Sequence, residues 1–369
     1  MTKKVLAGIL IALILCLSGC QPKTEPSKSN TRPKTIKPDK EVSLTAVGDV
    51  MLARHVGELM LTKGDNYPFQ KITPTLKSAD ITIGNLESPI SDRGTAMPGK
   101  GICFRARPEA GEAVRSAGFD VLSIANNHSL DYDNLAFLDT MFILRDLGMK
   151  TVGGGRNISE ARQPVIITKD GLKVGILAYT IFADLFYSYS YQRSFEATEE
   201  QSGVAPLNKE IVLEDLAKLK PQVDITIVSL HWGTEYNEEP DQQQRVLAKE
   251  LVDGGADLII GHHPHIVQGV ERYKNGLIAY SLGNFIFDQN QHVYTRQGFI
   301  LKAILTPQGA KKIQLLPVFI DHSQPRLMKG EEAESFLEQV KMETEELGTG
   351  ADIQNNSLVI TEEKTTAEQ

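Results

Sequence analysis

From residue 41 onward the chain alternates short apolar runs with segments of helical spacing. Runs at 43–47, 80–86, 121–124, 174–179, 224–230 and 258–260 are apolar and of strand length. Between them, 110–117, 134–147, 211–219 and 242–253 carry apolar residues at helical intervals and predict helices. Hairpins are signalled by Lys169-Asp170-Gly171, by Lys274-Asn275-Gly276, and by Gly309 between the runs 301–305 and 313–318. Strands alternating with helices, some of them paired antiparallel, argue for a single α/β domain. The stretch 182–201 has no clear period and carries Phe182, Phe186, Tyr187, Tyr189 and Tyr191. Loops of that length in compact domains are often functional, and these rings suit a substrate groove or a packed surface excursion equally. Past Gln324 the chain turns acidic and polar. One amphipathic helix is expected over 331–347, its apolar face made by Phe336, Leu337 and Val340, with loose order from Gly348 on.

The first twenty residues read as a leader, not as part of the fold. Lys3 and Lys4 precede an apolar run at 5–15, too short for the roughly 20 residues a membrane span needs. The run ends in Leu17-Ser18-Gly19-Cys20, which resembles the bacterial lipobox. That resemblance implies cleavage before a lipidated Cys20, a protein held on the outer face of the membrane, and Cys103 as a buried free thiol. Residues 21–40 hold Pro22, Pro26, Pro33, Pro38 and six basic residues with almost nothing apolar, the composition of a solvated tether. The expected organisation is a leader at 1–20, a tether at 21–40, a folded domain at 41–322 and an acidic tail at 323–369.

Composition narrows the classes. With 369 residues, 41% hydrophobic and 23% charged, the chain is an ordinary globular protein. Lys plus Arg is 39 against Asp plus Glu 47, a net charge of −8, so nothing attracts nucleic acid. An anionic substrate needs local cations or a metal. Three cysteines exclude a disulfide framework or a cysteine-rich zinc site.

Candidate chemistry gathers where the apolar runs stop. They lead into Gly48-Asp49, Gly84-Asn85-Leu86-Glu87, Ala125-Asn126-Asn127-His128, His231-Trp232-Gly233 and Gly261-His262-His263-Pro264-His265. Ligands collect at the carboxyl ends of strands in α/β sheets. Singly, Asp49 is as readily an N-cap, and His231 a satisfied core histidine. In the His263-Pro264-His265 triplet an extended backbone would point both rings one way, and proline favours that form. Five such ends together argue for a cation site.

These segments, with Ala46 to Met51, Gly84 to Pro89, Ala125 to Tyr132, His231 to Tyr236, Gly254 to Asp257 and Tyr280 to Phe285, resemble the bacterial CapA-type capsule-synthesis proteins over about residues 42–321. That family looks like a branch of the calcineurin-like metallophosphoesterases. The resemblance implies a β-sandwich flanked by helices, in α/β/β/α layers. It implies Asp49, Asn127, His231, His263 and His265 as metal ligands, holding one or two divalent ions such as Mn, Fe or Zn. The bridging position falls near Asn85 and Glu87, and Glu87 is favoured because a carboxylate neutralises metal charge. His128 is implied as the group acting on the leaving oxygen, with Asp131 orienting it. Arg54, Arg105 and Arg107 are candidates to hold anionic substrate. Two departures stand out. Met51 replaces the usual second histidine, and thioether sulfur suits hard cations poorly; the bridging aspartate is also altered. One of the two metal positions is then short of a ligand or completed by His262. The implied function is capsule or poly-γ-glutamate synthesis with an anionic polymer or phosphoester as substrate, beside membrane synthase subunits. The alternative is a non-catalytic assembly module with a structural or vestigial metal site.

Overall fold

The computed structural model describes residues 40–185 and 193–361. The leader, Cys20, most of the tether, and Phe186, Tyr187, Tyr189 and Tyr191 lie outside the described residues.

In chain order the strands are β1 (Val42–Val50), β2 (Ile81–Leu86), β3 (Val121–Ser123), β4 (Lys150–Val152), β5 (Gly154–Gly155), β6 (Val165–Lys169), β7 (Leu172–Thr180), β8 (Gly203–Val204) and β9 (Ile225–His231). Then follow β10 (Leu258–His262), β11 (Val267–Tyr273), β12 (Gly276–Leu282), β13 (Asn284–Ile286), β14 (Gln297–Thr306), β15 (Gly309–Asp321), β16 (Gln324–Leu327), β17 (Ala351–Gln354) and β18 (Ser357–Ile360). The helices are α1 (Arg54–Lys63), α2 (Thr73–Leu76), α3 (Glu109–Ala117), α4 (Asp133–Asp146), α5 (Ile158–Ala161), α6 (Lys209–Leu219), α7 (Gln242–Asp253) and α8 (Glu331–Glu346).

One sheet runs β17-β18-β15-β14-β1-β2-β3-β4, with β13 beside β1 and β16 beside β15. The other runs β11-β12-β10-β9-β7-β6. The alternation along the strands explains how they stack. On β9, Ile225 and Ile227 join Val42, Leu44, Ala46, Ile81 and Ile83 of the first sheet in one core between the sheets. Val228 and Leu230 face the other way, onto Val212 and Leu216 of α6 and Ala248 and Leu251 of α7. On β1, Val47 and Val50 pack with α1, α3 and α4 on the first sheet's outer face. Each such aliphatic side chain contributes about 1.5–3 kcal/mol on full burial. The result is a two-sheet sandwich with helices on both outer faces, the α/β/β/α arrangement.

The three expected hairpins are present as β6–β7, β11–β12 and β14–β15. The C-terminal region departs from expectation. Residues 351–360 are ordered: β17 and β18 form a hairpin and β18 pairs with β15. Asn355 and Asn356 take φ of 51° and 59° at its turn, a conformation asparagine tolerates. Ala351, Leu358 and Ile360 are buried against α8, whose Phe336 stacks on Phe299 at 5.1 Å. The short, locally polar strands hid this, because the partner that ties β18 to the sheet lies 43–45 residues upstream. Cys103 is half-buried rather than buried.

Candidate metal centre

Both sheets present their parallel strands to the same rim. In the first, Asp49 on β1 stands in register with Asn85 on β2 and with Asn284 on β13. In the second, His262 on β10 stands beside His231 on β9. Two glycines permit the close approach. A Cβ on Gly48 would lie 1.8 Å from the Gly283 carbonyl oxygen, and one on Gly261 1.8 Å from that of Tyr280.

The side chains converge. Asp49, Glu87 and His231 each offer a ligand atom, all within 4.8 Å of one another. Asn85 sits among them. Its Nδ2 donates to Asp49 Oδ1 at 2.9 Å and lies 3.3 Å from His231 Nδ1. His231 Nε2 is 2.9 Å from Asn127 Oδ1. His265 Nε2 lies 3.8 Å from Glu87 Oε1. Its Nδ1 is 2.9 Å from Asn284 Oδ1, an acceptor that fixes the ring with Nε2 free. Asp49, Glu87, Asn127, His231, His263 and His265 are all buried.

The His263-Pro264-His265 triplet arrives differently from the extended form expected. β10 ends at His262, and His263 and His265 have φ of 100° and 61°. Non-glycine residues in that region carry about 1–3 kcal/mol of strain each and persist where the surroundings over-determine them. Here the His263 N–H donates to Asp49 Oδ2 at 3.2 Å, and its ring is packed 4.2 Å from Phe182 and 4.8 Å from His231. The rings meet through two left-handed residues, not through strand alternation.

Electrostatics favour a cation. Burial pushes the pKa of His231 well below its ordinary value, with neighbouring His263 adding to the effect. Burial, with His265 nearby, lowers His263 to about 3. Both rings are neutral at pH 7, the form that ligates metal. Burial raises the Glu87 carboxyl well above its usual range, and the charges of Asp49 and Glu235 reinforce it. Burial also opposes ionisation of Asp49, but His262, His265 and Asn85 outweigh it and hold that carboxyl below its ordinary value. Two carboxyl groups buried side by side oppose each other's ionised form, which a cation bound there would favour. Glu87 Oε1 and His263 Nδ1 are buried with no hydrogen-bond partner. Orphaned acceptors and a mixed N/O donor set fit a divalent cation. Met51 does not contribute: its Sδ accepts from the Ala53 N–H at 3.1 Å. His262 Nδ1 lies 3.3 Å from Asp49 Oδ1.

Beside this cluster, His128 Nδ1 lies 2.6 Å from Asp131 Oδ2 while Nε2 is 4.0 Å from Glu87 Oε1. Burial lowers its pKa to about 4 against the opposing pull of Asp131. Of the arginines, Arg54 lies 4.6 Å over Phe104, whose ring stacks on His128, and pairs with Asp288. Arg105 donates to the carbonyls of Arg93 and Gly94, and Arg107 pairs with Asp65 and Glu109. Neither takes a site carboxylate or imidazole as partner; the structure brings only Arg54 to the cluster. Arg54, Ile102, Tyr236, Gln289 and Tyr294 line a cavity of about 770 Å³ next to it.

Sequence reasoning missed Lys100, Asn126, Phe104 and the positioning role of Asn284. Asn126 was in a strand-end motif, and its Nδ2 fastens Asn85 Oδ1 at 3.0 Å while its Oδ1 accepts from His128 N–H. Asn284 stood in the Tyr280 to Phe285 segment. Lys100 had no signal, lying alone in an irregular loop.

Residues 43–289 match the family model described as Bacterial capsule synthesis protein PGA_cap. The chain is 34% identical over 324 residues to the capsule biosynthesis protein CapA of Bacillus anthracis, covering 86% of this chain and 76% of that one. It is 31% identical over 293 residues to the PGA biosynthesis protein CapA of Bacillus subtilis strain 168, covering 79% and 75%. Among solved structures, a hypothetical protein from Thermus thermophilus aligns over 78% of this chain and 98% of its own with 13% identity and a TM-score of 0.46. That likeness is too loose to bear on function.

Proposed function

We propose, from the premise that this chain belongs to the bacterial capsule synthesis protein PGA_cap family, that it works in capsule assembly and carries a metal-dependent hydrolytic site. The observation that carries the reading is the strand-end cluster with its orphaned Glu87 Oε1 and His263 Nδ1. Asp49, Glu87, Asn127, His231, His263 and His265 would hold one or two ions, of which Mn, Fe and Zn suit mixed N/O donors. A divalent ion held there supplies Lewis-acid polarisation and activation of water. His128, with Nδ1 bound to Asp131, takes up a proton at Nε2 and returns it to the departing oxygen. Arg54 holds the anionic flank of the substrate in the adjacent cavity, its planar fork suiting carboxylate or phosphate. The substrate class is a phosphoester or an anionic polymer such as poly-γ-glutamate.

The family's setting adds place and partners. A lipid on Cys20 would tether the domain to the outer membrane face, beside synthase subunits. Among the described residues, no helix is long and apolar enough to cross a membrane. A second reading draws on Met51: with its sulfur turned to the backbone, one metal position lacks a ligand, which suits an assembly module that keeps a structural ion.

The test is metal content after purification without chelator, beside His263→Ala. One or two ions per chain, reduced in the variant, is the expected result. A chain that holds none even after loading with Mn or Zn would sink the hydrolytic reading.

A further inference from the structure

Lys100 belongs to no strand or helix, yet its side chain is only 5% exposed and that of Asp131 is fully buried. Its ammonium contacts Asp131 Oδ1 and the Asn127 carbonyl oxygen and lies 3.3 Å from His128 Nδ1. Asp131 is surrounded by donors: Lys100 on Oδ1, and on Oδ2 both the Phe104 N–H at 2.6 Å and His128 Nδ1 at 2.6 Å. A carboxylate so placed only accepts, so the shared proton with His128 sits on Nδ1. The same loop is fastened from two more sides. The Met97 N–H donates to the Asp131 carbonyl at 2.8 Å, and Phe104 stacks on His128 with centroids 4.0 Å apart. The Phe195 ring lies 5.3 Å from the ammonium.

A buried ion pair is weak evidence for stability, since hydrophobic residues of similar volume often serve as well. The position of this one suggests another use. We propose that Lys100 is a positioning residue: its ammonium anchors Asp131 and, through it, the ring of His128, with Nδ1 bonded and Nε2 aimed at the Glu87 side of the centre. This rests on the reading of His128 as the proton-carrying group of the site. Removing the ammonium takes away the contact that holds Asp131 Oδ1, so the bond between Oδ2 and His128 Nδ1 is no longer fixed. The ring then populates the form protonated at Nε2 as well, and the nitrogen facing the centre is no longer kept free.

Long-range proton–nitrogen NMR on full-length protein labelled at histidine nitrogen reads this directly, the signal being assigned by its loss in His128→Gln. In the unaltered protein and in Lys100→Arg, His128 is expected to show a single form protonated at Nδ1. In Lys100→Met, a mixed or Nε2-protonated pattern is expected. If Lys100→Met does not fold, Lys100→Gln keeps a donor without charge and takes its place. A folded variant with the pattern of the unaltered protein overturns the proposal. Failure of both variants to fold also overturns it, by assigning Lys100 to the fold alone. Zinc content of the same samples separates the two readings. A protein that takes up no zinc sinks the metal centre, while the His128 signal still judges Lys100.

Discussion

Two polar clusters, one on the outer face of the second sheet and one at the strand-end rim, are built to different rules. On the outer face Arg162 Nε and Nη2 meet both oxygens of Asp215 at 2.9 and 2.7 Å, and the Tyr179 hydroxyl donates to Asp215 at 2.9 Å. Asp215 has a partner at each oxygen and a cation beside it. At the strand-end rim, Asp49 and Glu87 have carboxyl groups just as buried, yet Glu87 Oε1 has no hydrogen-bond partner and the rings of His231 and His263 are neutral. The first cluster is complete within the chain; the second is completed from outside. Density of polar groups therefore does not distinguish a structural network from a functional one. Unmet bonding capacity does.

The sharpest way to break that comparison is to remove one carboxylate from each. Asp215→Ala should cost about 1–3 kcal/mol, since it leaves the buried Tyr179 hydroxyl unpaired and Arg162 with Glu214 alone. Glu87→Gln should leave the metal-free protein as stable as before, or more stable, because burial and the Asp49 charge already work against the ionised carboxyl. Urea unfolding in chelator compares the two. Equal losses would mean that the rim is an ordinary network.

Asn284→Ala probes how the rim is supported. His265 keeps its place but loses the acceptor on Nδ1, and metal affinity should fall about 10–100-fold. Calorimetric titration with zinc measures it, and an unchanged affinity would remove His265 from the ligand set.

The smallest effect concerns a site with no bearing on metal. Burial raises Glu343 on α8 to about 7, with Glu238, Glu239 and Glu346 adding to the shift against a hydrogen bond from Gln339. A carboxyl whose folded pKa is raised contributes stability below its unfolded value near 4.5, and that contribution is lost as pH climbs through about 7. Glu343→Gln should remove this loss. Discounted for its partial exposure, the gain is about 1–2 kcal/mol at pH 8 and near zero at pH 4. Unfolding curves at the two pH values check it.

Much of this molecule was legible along the chain. The alternation on β1 and β9 and the helical spacing of α7, closed by its Asp241 and Gln244 capping box, depend on neighbours a few residues apart. The strand-end groups were legible because a run of apolar residues stopping at Asp, Asn or His is itself a local pattern. Arg105 and Arg107 show the limit. As residue types they suit anion binding, but Asp65 and the carbonyls of Arg93 and Gly94 already occupy them.

What the sequence by itself determined is periodicity, and with it most of the elements and the chemical kind of each group at the rim. Only the tertiary structure decided which groups meet. Asp49 and His263 are 214 residues apart, Lys100 and Asp131 thirty-one, and β18 pairs with a strand some forty residues before it. Side-chain type and period are properties of near neighbours. Partnership, burial and the left-handed turns at His263 and His265 come from the closing of two sheets on each other, and no window along the chain contains them.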